Sequence, residues 1–339
     1  MILDSNNMLW DKYIEALPGE KQDIYFTRRY GQESQLLGGG EAQLFLYEEG
    51  DNFGIYPYIK HMVNLSEDKC LYYDIETPYG YGGPLVKNKD LAFIHKFEKE
   101  FLKYCLRENI IAEFIRFHPL LRNEGIFQKN IDVLHNRTTV WLDLERSLDE
   151  IWMHDISTQN RNTIRKCRKN GLSVEISEDY DAFSDIYNQT MCKVGAERFY
   201  FFDQAYYDKM KHNPDYKLMH VVKDKEILAA AIFMKYGEYF HYHLAGSKYE
   251  FLKYAPNNIL LWEAIKYAKS CGCKKMHFGG GRSVAKDDSL LQFKRRFSSQ
   301  CTDFYIGKRI HNERVYGRLI KEWENTHGEK AKILLQYRE

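Results

Sequence analysis

Between Glu226 and Phe297 the chain runs EILAAAIFMKYGEYFHYHLAGSKYEFLKYAPNNILLWEAIKYAKSCGCKKMHFGGGRSVAKDDSLLQFKRRF, an order that leaves little choice of architecture. Ile227 to Met234 is a short apolar run broken at Tyr236-Gly237-Glu238. Tyr239, His241 and His243 then alternate with Phe240, Tyr242 and Leu244, which is the period of a strand with two different faces. The two runs predict a hairpin. Pro256 with Asn257 and Asn258 signals a helix start, and Ile259, Leu260, Leu261, Trp262, Ala264, Ile265 and Ala268 recur at helical spacing until Gly272. Lys274 to Phe278 reads as a buried strand, and Gly279-Gly280-Gly281 lets its backbone approach something closely. Strand, helix and strand in that order form a crossover unit, so a ligand is expected where its strands end.

The first half repeats the pattern. Asp4 or Ser5 is placed to cap a helix carrying Leu9, Trp10, Tyr13, Ile14 and Leu17, ended by Pro18-Gly19. Residues 41–47 and 53–60 flank a turn and predict a hairpin, with Pro57 favouring an edge. Leu91 to Arg107 has helical spacing, and Ile110 to His118 follows as a strand. Hairpin, helix and strand therefore recur, a duplication of architecture without a residue-level repeat. Val140 to Leu144 reads as a closing strand and Ser147-Leu148-Asp149-Glu150 opens a new helix, which sets a boundary near residue 145. The expected domains are 1–145 and 146–339, the second carrying the donor site. With 339 residues and 44% hydrophobic content the chain exceeds one ordinary core. No Pro/Gly/Ser-rich linker marks the boundary, so the halves are expected to pack tightly.

Charge and cysteine usage exclude several classes. A net charge of +1 rules out a surface coated in positive potential, so any nucleic-acid contact must be a local patch. Seven cysteines without framework spacing suggest reduced thiols and a cytoplasmic protein. Cys271-Gly272-Cys273 is too close and lacks a second pair, which argues against zinc there. No stretch has the apolar length of a membrane span and MILDSNNMLWDKYIEALPGE has no signal-peptide layout, although a peripheral membrane contact stays open.

HYHLAGS, PNNILLWEAIKYAK, HFGGG and LLQFKRRF together resemble the second half of the FemAB-type acyl and aminoacyl transferases, relatives of the GNAT acyltransferases. The resemblance extends upstream through ISTQNRNTIRKCRKNGLSVEIS, YYDIETPYGYGGP and EFIRFHPLLRN. It implies an α/β fold of mixed sheets, with two GNAT-like domains in tandem and a cleft between them. It also implies transfer of an acyl or aminoacyl group to an amine of a cell-envelope precursor, either a peptidoglycan peptide or an amino sugar on a nucleotide or lipid carrier. The long helical arm of some tRNA-using members is absent, which does not exclude tRNA because armless members exist.

Several constellations are candidates for the chemistry. Arg161, Arg165 and Arg168 recur at helical spacing beside Lys166 and Lys169, so their guanidiniums could grip phosphate, or simply form a solvated face. Tyr79, Gly80, Tyr81, Gly82 and Gly83 between Pro78 and Pro84 offer backbone N–H groups and aromatic faces to a sugar, uridine or peptide, with Asp74 and Glu76 ahead to receive a cationic amine. His118 stands where the resemblance associates an acidic residue with the aminoacyl-tRNA members, on the acceptor side. After Arg198, the run Phe199, Tyr200, Phe201 and Phe202 cannot all face one way, so some rings reach a core and others a cleft or interface. Among His241, His243 and His277, metal ligation is disfavoured for want of a carboxylate at ligand spacing, and His243 is a candidate general base.

Lys294 stands out. It follows Phe293 and precedes Arg295, Arg296 and Phe297, so flanking rings are placed to hold a cation where a tetrahedral oxyanion forms. The resemblance carries that role to Phe293 and Lys294. For the donor, the interval AGSKYEFLKYAPNN lacks the glycine-rich pyrophosphate loop normal in CoA-using GNAT enzymes, although Lys253, Gly279, Gly280 and the helix start could hold phosphate. Acyl-CoA and aminoacyl-tRNA both stay open as cosubstrates, with no tightly bound cofactor and no metal. The opposing reading is a binding protein that kept the fold and lost catalysis, recognising a nucleotide-linked glycan or tRNA.

Overall fold

A parallel strand pair needs a long connection, and the described residues make two such pairs, each bridged by a helix with one apolar face. The structure, a computed structural model, describes residues 1–65, 70–285 and 287–338. Two compact units emerge, Met1–Asn136 with Phe304–Glu339, and Arg137–Asp303.

The first unit starts with β1 (Ile2–Asp4), α1 (Leu9–Glu15) and α2 (Arg28–Ser34), followed by the hairpin β2 (Glu41–Glu49) and β3 (Asn52–Val63). Then come β4 (Tyr72–Glu76), β5 (Leu85–Val86), α3 (Leu91–Arg107) and β6 (Ile110–Arg116). β4 and β6 are parallel, with Tyr73 opposite Ile110, and α3 is the crossover between them. Asp90 caps α3, accepting from Ala92 and Phe93 N–H, and the helix buries Phe93, Phe97, Phe101 and Tyr104. Those rings meet Phe45, Tyr56, Tyr58 and Phe127 in one aromatic core.

The second unit begins within β7 (Asp132–Asp143) and continues through α4 (Leu148–Glu150), α5 (Thr158–Lys169), β8 (Ser173–Ser177), α6 (Tyr180–Lys193) and α7 (Gln204–Lys211). It closes with β9 (Tyr216–Lys223), the hairpin β10 (Glu226–Tyr236) and β11 (Tyr239–Ser247), α8 (Pro256–Ser270), β12 (Lys275–Gly280) and α9 (Ser289–Arg295). β11 and β12 are parallel, with His241 opposite His277, and α8 carries the chain between them. Leu260, Leu261, Ala264, Ile265 and Ala268 of α8 are fully buried against Phe233, Phe240, Met276 and Phe278 of the sheet. The helix opened at Ser147 is fixed by a reciprocal capping box between Ser147 and Glu150.

The remaining segment, β13 (Cys301–Ile310) and α10 (Glu313–His327), differs from the expected division. Residues 306–310 of β13 pair antiparallel with β6, so the C-terminal segment completes the first unit. Residues 139–143 of β7 pair antiparallel with β12 and complete the second. The expected boundary near 145, with everything after it in one domain, therefore misses this exchange. An alternating strand fits the antiparallel edge of either sheet equally well, and local pattern cannot choose.

Two smaller expectations also fail. Asp4 lies in β1 and α1 starts without a side-chain cap. Pro57 is not at an edge: β3 pairs with β2 on one side, and on the other with β5 at 54–55 and β4 at 59–63, so the missing N–H falls in the gap between them. Among the described residues no helix is long and apolar enough to cross a membrane.

Close backbone approach in the second unit gives a direct test of this packing. A Cβ added at Gly246 of β11 would lie 2.8 Å from the Ile186 carbonyl oxygen and 2.9 Å from Tyr187 Cα, both backbone atoms of α6. Gly246→Ala is expected to lower the urea midpoint by the equivalent of about 1–3 kcal/mol without changing the m-value.

Candidate active site

The candidate residues fall into two groups, one in each unit. In the second unit the end of β12 organises the site. A register shift between His277 and Gly279 and a φ of +77° at Gly279 turn the strand end, a conformation that glycine adopts without strain. A Cβ at Gly280 would lie 2.8 Å from Arg137 Cδ and 3.1 Å from the Thr138 carbonyl oxygen. The glycines thus allow β7 close to the strand and leave two carbonyls to side chains. Gly281 accepts from Arg137 Nη1 at 2.9 Å and Gly280 from Lys294 Nζ at 2.6 Å.

Lys294 is held there by α9. Asp288 caps that helix with Oδ1, accepting from Leu290 and Leu291 N–H, while its Oδ2 accepts from the backbone N–H of Arg282 and Ser283 and from the Ser283 hydroxyl. One carboxylate therefore ties the loop after the glycines to the helix that carries the lysine. The Lys294 side chain is buried and its Nζ lies 5.8 Å from the centroid of the Tyr242 ring. Burial pushes the ammonium down to about 7, with Asp288 opposing and Arg137 adding to the fall. It is therefore no permanent cation, and neutral and charged forms are both populated near neutral pH. Phe293 packs its partly buried ring edge-on to Phe297, centroids 5.5 Å apart.

The histidines are less suited to their expected role. His277 Nε2 is 2.9 Å from the Thr139 hydroxyl, and its ring is 5.7 Å from that of His241. Burial, with His241 beside it, pushes His243 down to about 3. It stays neutral at working pH and binds a proton too weakly to serve as the expected general base.

The basic helix is committed to its own chain only in part. Arg161 Nη1 donates to the carbonyls of Trp152, Met153 and Ile156, closing the turn before α5. Arg165 donates to Asn162 Oδ1 and lies over the Trp152 ring, and Arg168 donates to Glu263 at 2.8 Å. Arg161 is spent on orphan carbonyls at the helix start, whereas Arg165 and Arg168 stay exposed and make only surface contacts. Lys253 is exposed beside the Tyr254 ring, in a 3₁₀ turn over Tyr249–Tyr254. Arg198 and Tyr200 lie in another short exposed turn, where Phe199 and Phe201 are also exposed while Phe202 is buried.

In the first unit the tyrosine-glycine loop is tied down rather than open. Gly82 N–H donates to Arg116 O at 2.7 Å, and Tyr79 O accepts from the Tyr30 hydroxyl at 2.6 Å. Asn123 Nδ2 donates to the carbonyls of Gly82 and Pro84. The Tyr81 ring meets Tyr25, His118 and Phe304 edge-on at 5.3, 5.9 and 5.0 Å. His118 is fully buried: its Nδ1 accepts Leu121 N–H, which leaves Nε2 to donate to Asp23 at 2.9 Å. Asp74 does receive a cation, but from the chain itself: Arg338 and the Tyr337 hydroxyl bond its buried carboxylate. Burial would raise Glu76, but His61, Arg116 and Arg338 hold it well below the usual carboxylate range. Neither acid is open to a substrate amine.

Residues missed from the pattern are Arg137, Asp288 and Tyr242. Asp288 had a legible signal, an acidic residue directly before an apolar helix start. Arg137 had none, since only the pairing of β7 with β12 brings it to Gly281.

Residues 158–295 match the acetyltransferase (GNAT) domain model. The chain is 24% identical over 319 residues to a UDP-N-acetylmuramoylpentapeptide-lysine N(6)-alanyltransferase of Weissella viridescens, covering 86% of this chain and 93% of that enzyme. The crystal structure of FemX superposes with a TM-score of 0.72 at 16% identity, over 94% of this chain and 99% of that one. The L-PGS structure from Bacillus licheniformis gives 0.59 at 12% identity, over 90% and 92%. These likenesses fit the tandem GNAT-like architecture expected from the motifs.

The buried lysine has a thermodynamic signature. Between pH 7 and about 10.5 the unfolded chain holds the Lys294 proton and the folded chain does not, so this residue makes stability rise with pH across that window. At full difference the slope is about 1.4 kcal/mol per pH unit. Lys294→Met is expected to remove that contribution, measured as denaturant stability of both proteins from pH 6 to 10.

Proposed function

We propose that this FemAB-like chain, a tandem GNAT-type acyl/aminoacyltransferase, moves an aminoacyl group from a carrier ester onto the side-chain amine of a nucleotide-linked peptidoglycan peptide. The observation that carries the reading is Lys294, buried on the Gly280 carbonyl at the end of β12 and poised near neutrality. Aminolysis of an ester needs a donor for the oxyanion and a proton for the leaving oxygen. A lysine ammonium of ordinary acidity is a poor proton donor, and one pushed down to about 7 is a far better one. The acceptor amine attacks the carbonyl carbon and the C–N bond forms. Lys294 hydrogen-bonds the oxyanion, the C–O bond to the carrier breaks, and the leaving oxygen takes the Lys294 proton. The proton lost by the amine restores the ammonium, so charge and atoms balance without a covalent enzyme intermediate.

The alanyltransferase likeness over most of both chains supports the acceptor class. The start of α8 supports an aminoacyl ester over a CoA thioester as donor. Pro256 has no N–H, and Asn258 N–H is spent on the Ala255 carbonyl. Asn257 Nδ2 bonds the Ser247 hydroxyl, and Lys248 pairs with Glu226. Few backbone amides remain there for a pyrophosphate. The diffusible cosubstrate is then aminoacyl-tRNA, with Arg165 and Arg168 the members of the basic row still exposed to meet it.

The test is product mass after incubation with aminoacyl-tRNA and a nucleotide-linked muramoyl pentapeptide, with acetyl-CoA in a parallel reaction. An adduct one aminoacyl residue heavier supports the reading, whereas an acetylated product alone, or none with either donor, overturns it. Lys294→Ala is expected to lower kcat by about 10²–10³ with little change in KM. In the wild-type enzyme kcat falls as pH rises through about 7, because the ammonium is lost, and an alkaline limb absent from the profile would remove Lys294 as the proton donor.

A further inference from the structure

The first unit contains a second concentration of reactive side chains, deep in its aromatic core. Cys105 comes from α3, Glu113 from β6, and His311 from the residue directly after β13. One ligand atom from each, a sulfur, a carboxylate oxygen and a ring nitrogen, all lie within 4.8 Å of one another. Cys105 and Glu113 are fully buried, and the His311 side chain is 3% exposed. His311 Nε2 stands 2.8 Å from Glu113 Oε2.

Among the described residues, Glu113 Oε1, the Tyr56 hydroxyl, and Nε and Nη1 of Arg309 are buried without a hydrogen-bond partner. Arg309 Nη1 is 3.8 Å from Glu113 Oε1, beyond hydrogen-bond reach, because its Nη2 is committed to Glu98 at 2.7 Å. The Tyr56 ring lies in the same core, its centroid 5.8 Å from that of Phe127, which also has the Arg309 guanidinium 5.5 Å from its centroid. Buried oxygen atoms without a donor are costly, and Glu113 Oε1 and the Tyr56 oxygen are the two of these atoms that a cation would satisfy.

We propose that Cys105, Glu113 and His311 form a buried Zn²⁺ site, with the Tyr56 hydroxyl or a water as fourth donor. The donor set decides the metal. One thiolate, one imidazole and one carboxylate suit tetrahedral zinc, whereas magnesium and calcium require shells of oxygen. Charge decides whether a dication is tolerated. Bound by the thiolate, the imidazole and the Glu113 carboxylate, a dication would face one further carboxylate, Glu98, and one guanidinium, Arg309. The ligand is the thiolate, so loading releases the Cys105 proton and strengthens as pH rises. Nitrogen and oxygen ligands of one tetrahedral zinc lie about 3.3 Å apart, so the His311–Glu113 contact opens by about half an ångström on binding. The site is structural in kind: it pins β13 to α3 and β6 and is independent of the transferase reading.

The full chain is loaded with Zn²⁺, dialysed exhaustively and assayed for metal by mass spectrometry, beside Cys105→Ser and with Co²⁺ as a spectroscopic probe. The expected result is one zinc per chain, a thiolate-to-cobalt charge-transfer band, and at least tenfold weaker zinc binding with no such band in Cys105→Ser. Chelation lowers the wild-type melting temperature and leaves that of the variant unchanged. Substoichiometric zinc with no thiolate band in the wild type, or equal zinc in Cys105→Ser, overturns the site. If the variant does not fold, the cobalt band of the wild type alone decides.

Discussion

Two strands that run the same way cannot be joined by a tight turn, and that constraint fixes most of this molecule. β4 and β6 are bridged by α3, and β11 and β12 by α8, so each sheet receives a helix on its face and an apolar stripe to bury. The ends of β11 and β12 then finish on one side, where glycines rather than side chains terminate the second strand. A strand ending in bare carbonyls needs donors, and Lys294 and Arg137 supply them. The candidate catalytic lysine is thus also a structural partner, satisfying a carbonyl while its amine is kept from water.

Burial acts on the charged groups in different directions according to what surrounds them. His243 meets another histidine and stays neutral; Glu76 meets two guanidiniums and a histidine and stays charged. Lys294 lies between these outcomes, because Asp288 offsets part of the desolvation while Arg137 adds to it. A group balanced in this way can exchange a proton near neutral pH, which neither of the other two can do.

Local pattern carried the elements well. Leu91–Arg107, the hairpin over 226–247 and Pro256–Ser270 are each legible from spacing and punctuation, because one apolar face per element sets both period and length. Aromatic flanks and the FemAB-like motif singled out Lys294 as a candidate, but they gave no sign of its burial against the Gly280 carbonyl. The long-range partners were not. Nothing in Arg161, Arg165 and Arg168 indicates that three carbonyls, an asparagine and Glu263 lie within their reach. Asp74 reads as an open acid until Arg338, 264 residues away in sequence, is brought onto it. The exchange of β7 and β13 was hidden for the same reason, since an antiparallel edge accepts any strand of matching alternation.

That exchange imposes an order on the making of the protein. A chain emerging from the ribosome presents residues 1–136 before 137–303, yet this unit lacks β13 and α10 until the residues after 303 appear. At about 5–20 residues per second the intervening unit takes on the order of ten seconds or more to be made. Through that interval Glu98 and Glu113 have no Arg309, and β6 has an uncovered edge. The second unit, contiguous from Arg137 to Asp303, can complete its sheet as soon as it is synthesised. The N-terminal half is therefore born first and completed later, and until then β6 presents an unpaired strand edge.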